Sequence, residues 1–394
     1  MSSALTNPVV ERLRLEMSLR FGSPMRIFRA PGRVNLIGEH TDYNEGFVMP
    51  AALEFYTYVA IGPRNDRQLH IYSLDFQERR EFDLDRMEPG PSGDWSDYIR
   101  GVAAVLDTAG HRIPGANLVI KGEVPIGAGL SSSAAIEVSS ALGFLANSGI
   151  ELDRAEIARL CQQAEHEYAG MKCGIMDQFI SCFGQANHAL LLDCRGLEYQ
   201  LLKIGGRVRI VICNTKVKHA HASGEYNRRR ADCEAGVRYL QEHLPGIHAL
   251  RDVTREELEY YRRSLPEVTF RRCRHVITEN HRVLAAAKAL QSADLSEFGR
   301  LMVESHRSLS DNYEVSCPEL DIMVKIAQKI RGVFGARMTG GGFGGCTVNL
   351  VSADAEEEFH TTIAREYQAA TGLKADIYIC TAADGAAEVR NGMG

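Results

Sequence analysis

Residues 29–46 read RAPGRVNLIGEHTDYNEG and place Arg29, Arg33, Glu39, His40, Asp42 and Glu45 around an apolar Val34–Ile37 core. Pro31, Gly32 and Gly38 argue against a helix here. The segment therefore reads as a short buried strand at Val34–Ile37 between two turns, with charged groups held at its ends. A rigid scaffold presents polar side chains to a small ligand in this way. A single charged residue would sooner mark a solvated loop, but this density of mixed charge around an apolar centre favours a site.

Two glycine-rich loops could handle phosphate. Gly127-Ala128-Gly129-Leu130-Ser131-Ser132-Ser133 leads directly into an expected helix. Backbone N–H groups at a helix start, with the helix dipole behind them, attract anions. Glycines allow close approach, and three serines add hydroxyl donors. The loop lacks G-x-x-x-x-G-K-S/T, and Ser132 stands where a dinucleotide fingerprint needs its last glycine, with no acid at the expected distance. A structural turn is the alternative; the strong helix behind it favours phosphate. The second loop, Gly340–Gly345, lies between two expected strands. Its three successive glycines suggest a backbone that passes close to something, and tight packing would explain them equally well.

Other candidates have ordinary local explanations. Asp177 could cap the helix that follows GIMD, Glu165 would normally be solvated beside His166 and Glu167, and Trp95 and Tyr226 could simply pack. The run Arg228-Arg229-Arg230 reads as the solvated face of a helix before it reads as a phosphate patch.

The elements that must position these groups follow from pattern. Asn7-Pro8 opens a helix carrying Val10, Leu13, Met17 and Phe21 on its apolar face. Strands are expected at 26–28, 34–37, 56–61, 69–73 and 81–84, a helix from DWSDY to Asp107, and a strand at 117–121. A turn at 125–133 and a helix to about 146 follow, then a helix from Asp153 to Gly170, a turn into a helix at MKCGIMDQF, and strands near 189–193 and 199–204. The second half starts with a strand at 208–214, continues through long helices at about 224–243, 254–264, 269–292 and 295–309, and adds a helix at 318–331. A strand at 336–339, the glycine loop, a strand at 347–351, a helix at about 354–370 and a strand at 374–380 complete it. Without the extra helices the order is β-α-β-β-α-β, the ferredoxin-like pattern. The expected fold class is α+β in two domains, divided near residue 205 into 1–205 and 206–394.

Composition narrows the function classes. The length of 394 residues exceeds a single core, and a 45% hydrophobic, 24% charged composition is that of a soluble globular protein. A formal charge of −6 gives no basic face, so no nucleic-acid partner is expected. Ten cysteines without C-x-x-C or Cys/His clusters argue against zinc and a disulfide frame, and point to reduced thiols in a cytoplasm. No apolar leader-like segment and no run of the roughly 18 apolar residues a membrane helix needs are read, so no membrane partner is expected.

Taken together, PGRVNLIGEHTDYNEGFVMPAAL, PIGAGLSSSAA and TGGGFGGC resemble, in order and spacing, the GHMP superfamily of small-molecule kinases. GRVNLIGEHTDYNEG is similar to the signature of its galactokinase family, and CGIMDQF and EYNRRR match later segments of that family, so the resemblance covers nearly the whole chain. It implies an active site in the cleft between an N-terminal α/β domain and a C-terminal ferredoxin-like domain. It also implies phosphorylation of the C1 hydroxyl of α-D-galactose by ATP with Mg2+, the first committed step of galactose metabolism. Separately, a cytoplasmic monomer is expected. Carried over by position, the base is Asp177 and the transition-state arginine Arg33. Sugar contacts fall on Glu39, His40, Thr41, Asp42, Gly174 and Tyr226. The nucleotide loop is Gly127, Ala128, Gly129, Leu130, Ser131, Ser132 and Ser133, with Trp95 and Tyr98 beside the adenine. Mg2+ ligands fall on Ser133 and Glu165, and Glu45 keeps no role beyond a surface turn. Gly224 departs from the family pattern, where a serine is common before EYN, which bears on the geometry of Tyr226. The alternatives are a kinase for N-acetylgalactosamine or galacturonate, or a non-catalytic galactose- and ATP-binding sensor; the complete Ser133-Ala134-Ala135 and the presence of Asp177 count against the sensor.

Overall fold

The computed structural model describes residues 7–22, 24–125, 127–218 and 222–390; Ile126, inside the expected phosphate turn, lies outside them. The first half is built on a six-stranded sheet in the order Ala387–Glu388, Arg26–Asn35, Pro50–Pro63, Ala116–Gly122, Gln68–Ser73, Glu78–Asp83. Its neighbours are antiparallel except Gln68–Ser73 with Ala116–Gly122. Strand side chains alternate between faces. Phe28, Ala30, Val59 and Ile61 pack in one core with residues of the helices Asp97–Thr108, Ser132–Ser148, Arg154–Ala164 and Met176–Phe183. Ile27, Tyr58 and Ala60 face the other way, onto Val10, Leu13 and Met17 of the helix Pro8–Phe21. Asn7 caps that helix by accepting from the Val9 N–H.

The second half carries a four-stranded sheet in the order Val333–Thr339, Gly344–Ser352, Val208–Lys218, Asp376–Cys380, antiparallel throughout. With the helix Pro318–Ala327 before the second strand and Glu356–Thr371 before the fourth, this is the ferredoxin-like arrangement. The helices Ala222–Gln241, Arg255–Tyr260, Glu267–Gln291 and Leu295–Ser308 are inserted after its first strand. Val211, Cys213 and Val351 pack against Met323, Val324, Phe359 and Ile363 on one side. Ile210, Ile212, Val348 and Leu350 turn to the other side and join Val34, Leu36 and Ile37 in a core that also takes Val283 and Phe298. The apolar centre of the 29–46 stretch is thus the plug between the two halves.

The structure departs from expectation where local breakers meet tertiary context. Strand Arg26–Asn35 runs straight through Pro31 and Gly32, which were expected in a turn, and ends at Asn35 before Leu36–Ile37. Its outer neighbour pairs only with Phe28 and Arg29, so no ladder bond is asked of the proline nitrogen, and a register shift between Pro31 and Arg33 absorbs the irregularity. The helix expected from 153 to 170 is α-helical only to Ala164 and widens into a π turn at Glu165–Ala169. A second π turn, Leu309–Tyr313, continues the helix Leu295–Ser308. The chain also crosses the expected division at 205: Ala387–Glu388 near the C-terminal end returns to the first sheet.

Candidate active site

A cavity of about 640 Å3 lies where the two halves meet, lined by both glycine-rich loops and by the 29–46 stretch. At its centre Arg33 and Asp177 form a bidentate pair, Nε to Oδ1 and Nη2 to Oδ2, each 2.6 Å. Arg33 also donates from Nη1 to the Gly129 carbonyl at 2.8 Å, and its backbone N–H to the Leu130 carbonyl at 3.0 Å. Burial disfavours the guanidinium charge, yet Asp177, with Glu39 and Asp42 behind it, raises Arg33 above the ordinary arginine value. Asp177 sits in the first turn of Met176–Phe183 and does not cap it; Ile175 holds the cap position. Its second oxygen also accepts from the Ser131 hydroxyl. Ser131 is the N-cap residue of the helix Ser132–Ser148 and is left-handed at φ 57°. One serine of the phosphate loop is therefore committed to the ion pair.

The two glycine loops meet here. Gly340, at φ 86°, comes so close to Gly129 that a Cβ on it would lie 3.1 Å from the Gly129 carbonyl. This is the close approach that the run of glycines implies.

The expected sugar residues are held from both halves. Glu39 accepts from the Gly340 N–H at 2.7 Å and the Thr339 hydroxyl at 3.1 Å, with Arg337 at 3.6 Å. Burial raises its carboxyl, against the pull of Arg337 and Arg33. His40 is left-handed at φ 64° and buried, its Nδ1 2.7 Å from the Tyr43 hydroxyl and its ring packed on Tyr226 and Tyr313. Burial, then His275, holds it well below the usual imidazole range, so it is neutral. Asp42 follows in a 3₁₀ turn, and burial together with Asp177 pushes its carboxyl up to about 7. Gly174 lies against it: a Cβ there would fall 2.1 Å from Asp42 Oδ2. Tyr226 completes this end, its ring tilted against His40 and edge-on to Tyr43.

Three of the expected contact residues do not line the cavity: Gly174, which packs behind Asp42, Thr41 and Ala128. The Thr41 hydroxyl lies 2.8 Å from the Gly38 carbonyl and 2.7 Å from that of Phe47, closing the loop on itself. Ala128 packs in the core shared by the two halves.

At the other end Trp95 and Tyr98 line the cavity. Trp95 stacks on Phe76 at 5.7 Å and 17°. Phe76 itself escaped the sequence reading because nothing local distinguishes it from any loop phenylalanine. Glu165 is buried in its π turn, not solvated. It accepts from Gln178 Nε2 at 2.6 Å and from the Cys173 thiol, beside the Ser133 hydroxyl. Burial, then Asp177, raises its carboxyl. Glu137 accepts from the same Gln178 amide, and its Oε1 is unpartnered. Acidic oxygens that meet only neutral donors next to a phosphate loop are the hard, uncompensated donor set that Mg2+ takes. The residues present fit that ion.

The supports behind these groups also went unread. Arg337 is the largest fully buried side chain and donates to the Asn35 carbonyl at 3.0 Å. Arg229, expected on a solvated face, is buried and donates to the carbonyls of Tyr313 and Glu314. Glu45 pairs with Arg195 at 2.6 Å and is more than a bare turn residue.

The galactokinase galactose-binding signature matches residues 18–63, the GHMP kinases N terminal domain residues 97–185, and the GHMP kinases C terminal domain residues 286–369. A Roseiflexus galactokinase is 48% identical over 366 residues, 93% of each chain. One from Chloroflexus aurantiacus is 49% identical, covering 92% of this chain and 93% of its own. The crystal structure of Lactococcus lactis galactokinase complexed with galactose superposes with a TM-score of 0.93 at 36% identity, over 97% of this chain and all of that one. The Methanococcus jannaschii mevalonate kinase shares the fold alone, with a TM-score of 0.64 at 20% identity over 93% of this chain and all of that one.

Proposed function

The chain belongs to the galactokinase family and is a sugar kinase that phosphorylates galactose with ATP, and we propose that its reaction is organised about the Arg33–Asp177 pair. Phosphoryl transfer is mostly positioning and charge stabilisation. Arg33, held by Asp177 and the Gly129 carbonyl, faces the phosphates from the seam between the nucleotide loop and the sugar loop. Its planar donors suit the charge that spreads over the transferring group. Asp177 receives the C1 hydroxyl of the sugar. In a loose transition state that hydroxyl needs little activation, so Asp177 chiefly orients it and accepts its proton late.

Glu39 and Asp42 read the remaining hydroxyls, His40 and Tyr226 shape the wall around them, and Gly174 leaves the room that Asp42 needs. Trp95, Tyr98 and Phe76 take the base, and the start of the helix Ser132–Ser148 takes the phosphates. Ser133 and Glu165 would hold Mg2+, which when bound neutralises phosphate charge. The protein acts as a cytoplasmic monomer, and no described helix is long and apolar enough to cross a membrane.

The observation that carries this reading is the bidentate pair placed where the two ligand-binding loops meet. ADP release measured with galactose, N-acetylgalactosamine, glucose, talose and galacturonate tests it. Galactose should have the highest kcat/KM, and a higher value for any other sugar would refute the sugar assignment.

A further inference from the structure

The sugar loop, residues 38–47, is gripped along its main chain by one helix of the other half. Glu279 Oε1 accepts from the Gly38 N–H at 3.0 Å, at the loop's entrance. His275 Nε2 lies 3.1 Å from the Glu39 carbonyl. Asn280 Oδ1 accepts from the Phe47 N–H at 2.9 Å, at the exit. These residues stand at i, i+4 and i+5 on Glu267–Gln291, where they share a face. All three are almost fully buried, and none lines the cavity. They are anchored in turn: Arg282 Nε donates to Glu279 Oε2 at 2.6 Å, Ser305 donates to Glu279 Oε1, and the Ser308 hydroxyl sits 2.9 Å from His275 Nδ1. The fit is close. A Cβ on Gly46 would lie 2.3 Å from Asn280 Oδ1, and one on Gly38 2.9 Å from Val283.

We propose that His275, Glu279 and Asn280 are positioning residues that cast the sugar loop into its binding shape from the opposite half, so that sugar affinity, and not nucleotide affinity, depends on them. They hold main-chain atoms, so they fix where Glu39, His40 and Asp42 point without touching the sugar. Their hydrogen bonds to the first half all run to residues 38–47, and none runs to the nucleotide loop. The claim rests on the assignment of that loop to the sugar.

The experiment is steady-state kinetics on folded single variants, with thermal melting as the check on folding. Asn280→Ala should raise the galactose KM about tenfold or more, because a buried N–H loses its acceptor and the loop shifts, while the ATP KM stays within about twofold. His275→Gln keeps a donor at the Nε2 position and should stay near the unaltered chain, whereas His275→Ala should behave like Asn280→Ala. If Asn280→Ala does not fold, the His275 contrast decides. Equal changes in both KM values, or no change in a folded variant of an active enzyme, overturns the inference alone. Failure of the unaltered chain to phosphorylate galactose overturns the assignment beneath it.

Discussion

At the end of the cavity proposed for the sugar, Glu39, His40 and the helix residues behind them are buried and tied by hydrogen bonds across both halves; at the end proposed for the nucleotide, Phe76 is 46% exposed and meets Trp95 through a stacked ring face. Buried polar groups with fixed partners reject a ligand that leaves one of them unpaired, because the stranded group bears its full desolvation cost. Ring faces make no such demand, and stacking tolerates small displacements. Selectivity should therefore reside at the sugar end, and mutations there should act steeply and specifically. Mutations at the nucleotide end should act by degrees.

The seam between the ends should give the largest effect. Asp177→Asn removes the acceptor and breaks the charge balance with Arg33, so kcat should fall about 10²–10⁴-fold, the usual contribution of a positioned acid–base group. Retention of more than about a tenth of the turnover would end any essential role for Asp177. Next comes Gly174→Ala. Its methyl would sit 2.1 Å from Asp42 Oδ2, so the carboxylate must move. The galactose KM should rise more than about tenfold with the ATP KM unchanged, since an ångström of misplacement can cost that much. An equal rise in both would show that the two ends are coupled and not separate.

How far the sequence foretold this contrast follows from where each group's partners come from. Arg33, Glu39, His40 and Asp42 lie in one short stretch whose charge density is visible without a structure. Their supports, His275, Glu279, Tyr313 and Arg337, arrive from far along the chain and look locally like ordinary helix or strand residues. The β-α-β-β-α-β order was readable because each element carries its own periodicity. The π turns that bury Glu165 and bring Tyr313 onto His40 were not, because a one-residue widening leaves the helical pattern almost intact. Nor was the strand through Pro31, which depends on what its neighbour does not pair.

Asp42 gives the comparison a pH signature. Its folded value of about 7 lies above the ordinary 3.8. The unliganded fold therefore holds this proton more tightly than the unfolded chain does. Its stabilising effect is complete below about pH 4 and is lost as the pH rises to about 7, on the order of 2 kcal/mol after allowance for partial exposure. Asp42→Asn should remove that decline in melting temperature. If the carboxylate form is the one that accepts from sugar hydroxyls, the galactose KM should rise as the pH falls below about 7, and galactose binding at pH 6 should release a proton. Asp42→Ala should raise the galactose KM more than the ATP KM; a flat pH profile in the unaltered chain would remove Asp42 from sugar recognition. At the nucleotide end, Phe76→Ala should raise the ATP KM only about two- to tenfold, the worth of one aromatic pair, and leave galactose untouched.

The smallest effect should come from the outer side of the sugar loop, and it sharpens the comparison most. Glu45 pairs with Arg195, which also pairs with Asp252, while Arg251 donates to the Glu45 carbonyl and to Asp193. This network spans both halves, as the buried clamp does, yet the Glu45 side chain is 48% exposed. Exposed pairs gain little, because water and salt screen the charges and ordering the side chains costs entropy. The Arg251 contact, moreover, uses the Glu45 backbone, which alanine preserves. Glu45→Ala should therefore change stability by less than about 0.5 kcal/mol and the galactose KM by less than about twofold. A tenfold rise in KM, reproduced by high salt in the unaltered chain, would mean that the loop is set by its charged rim, and burial would no longer explain why the two ends of the cavity differ.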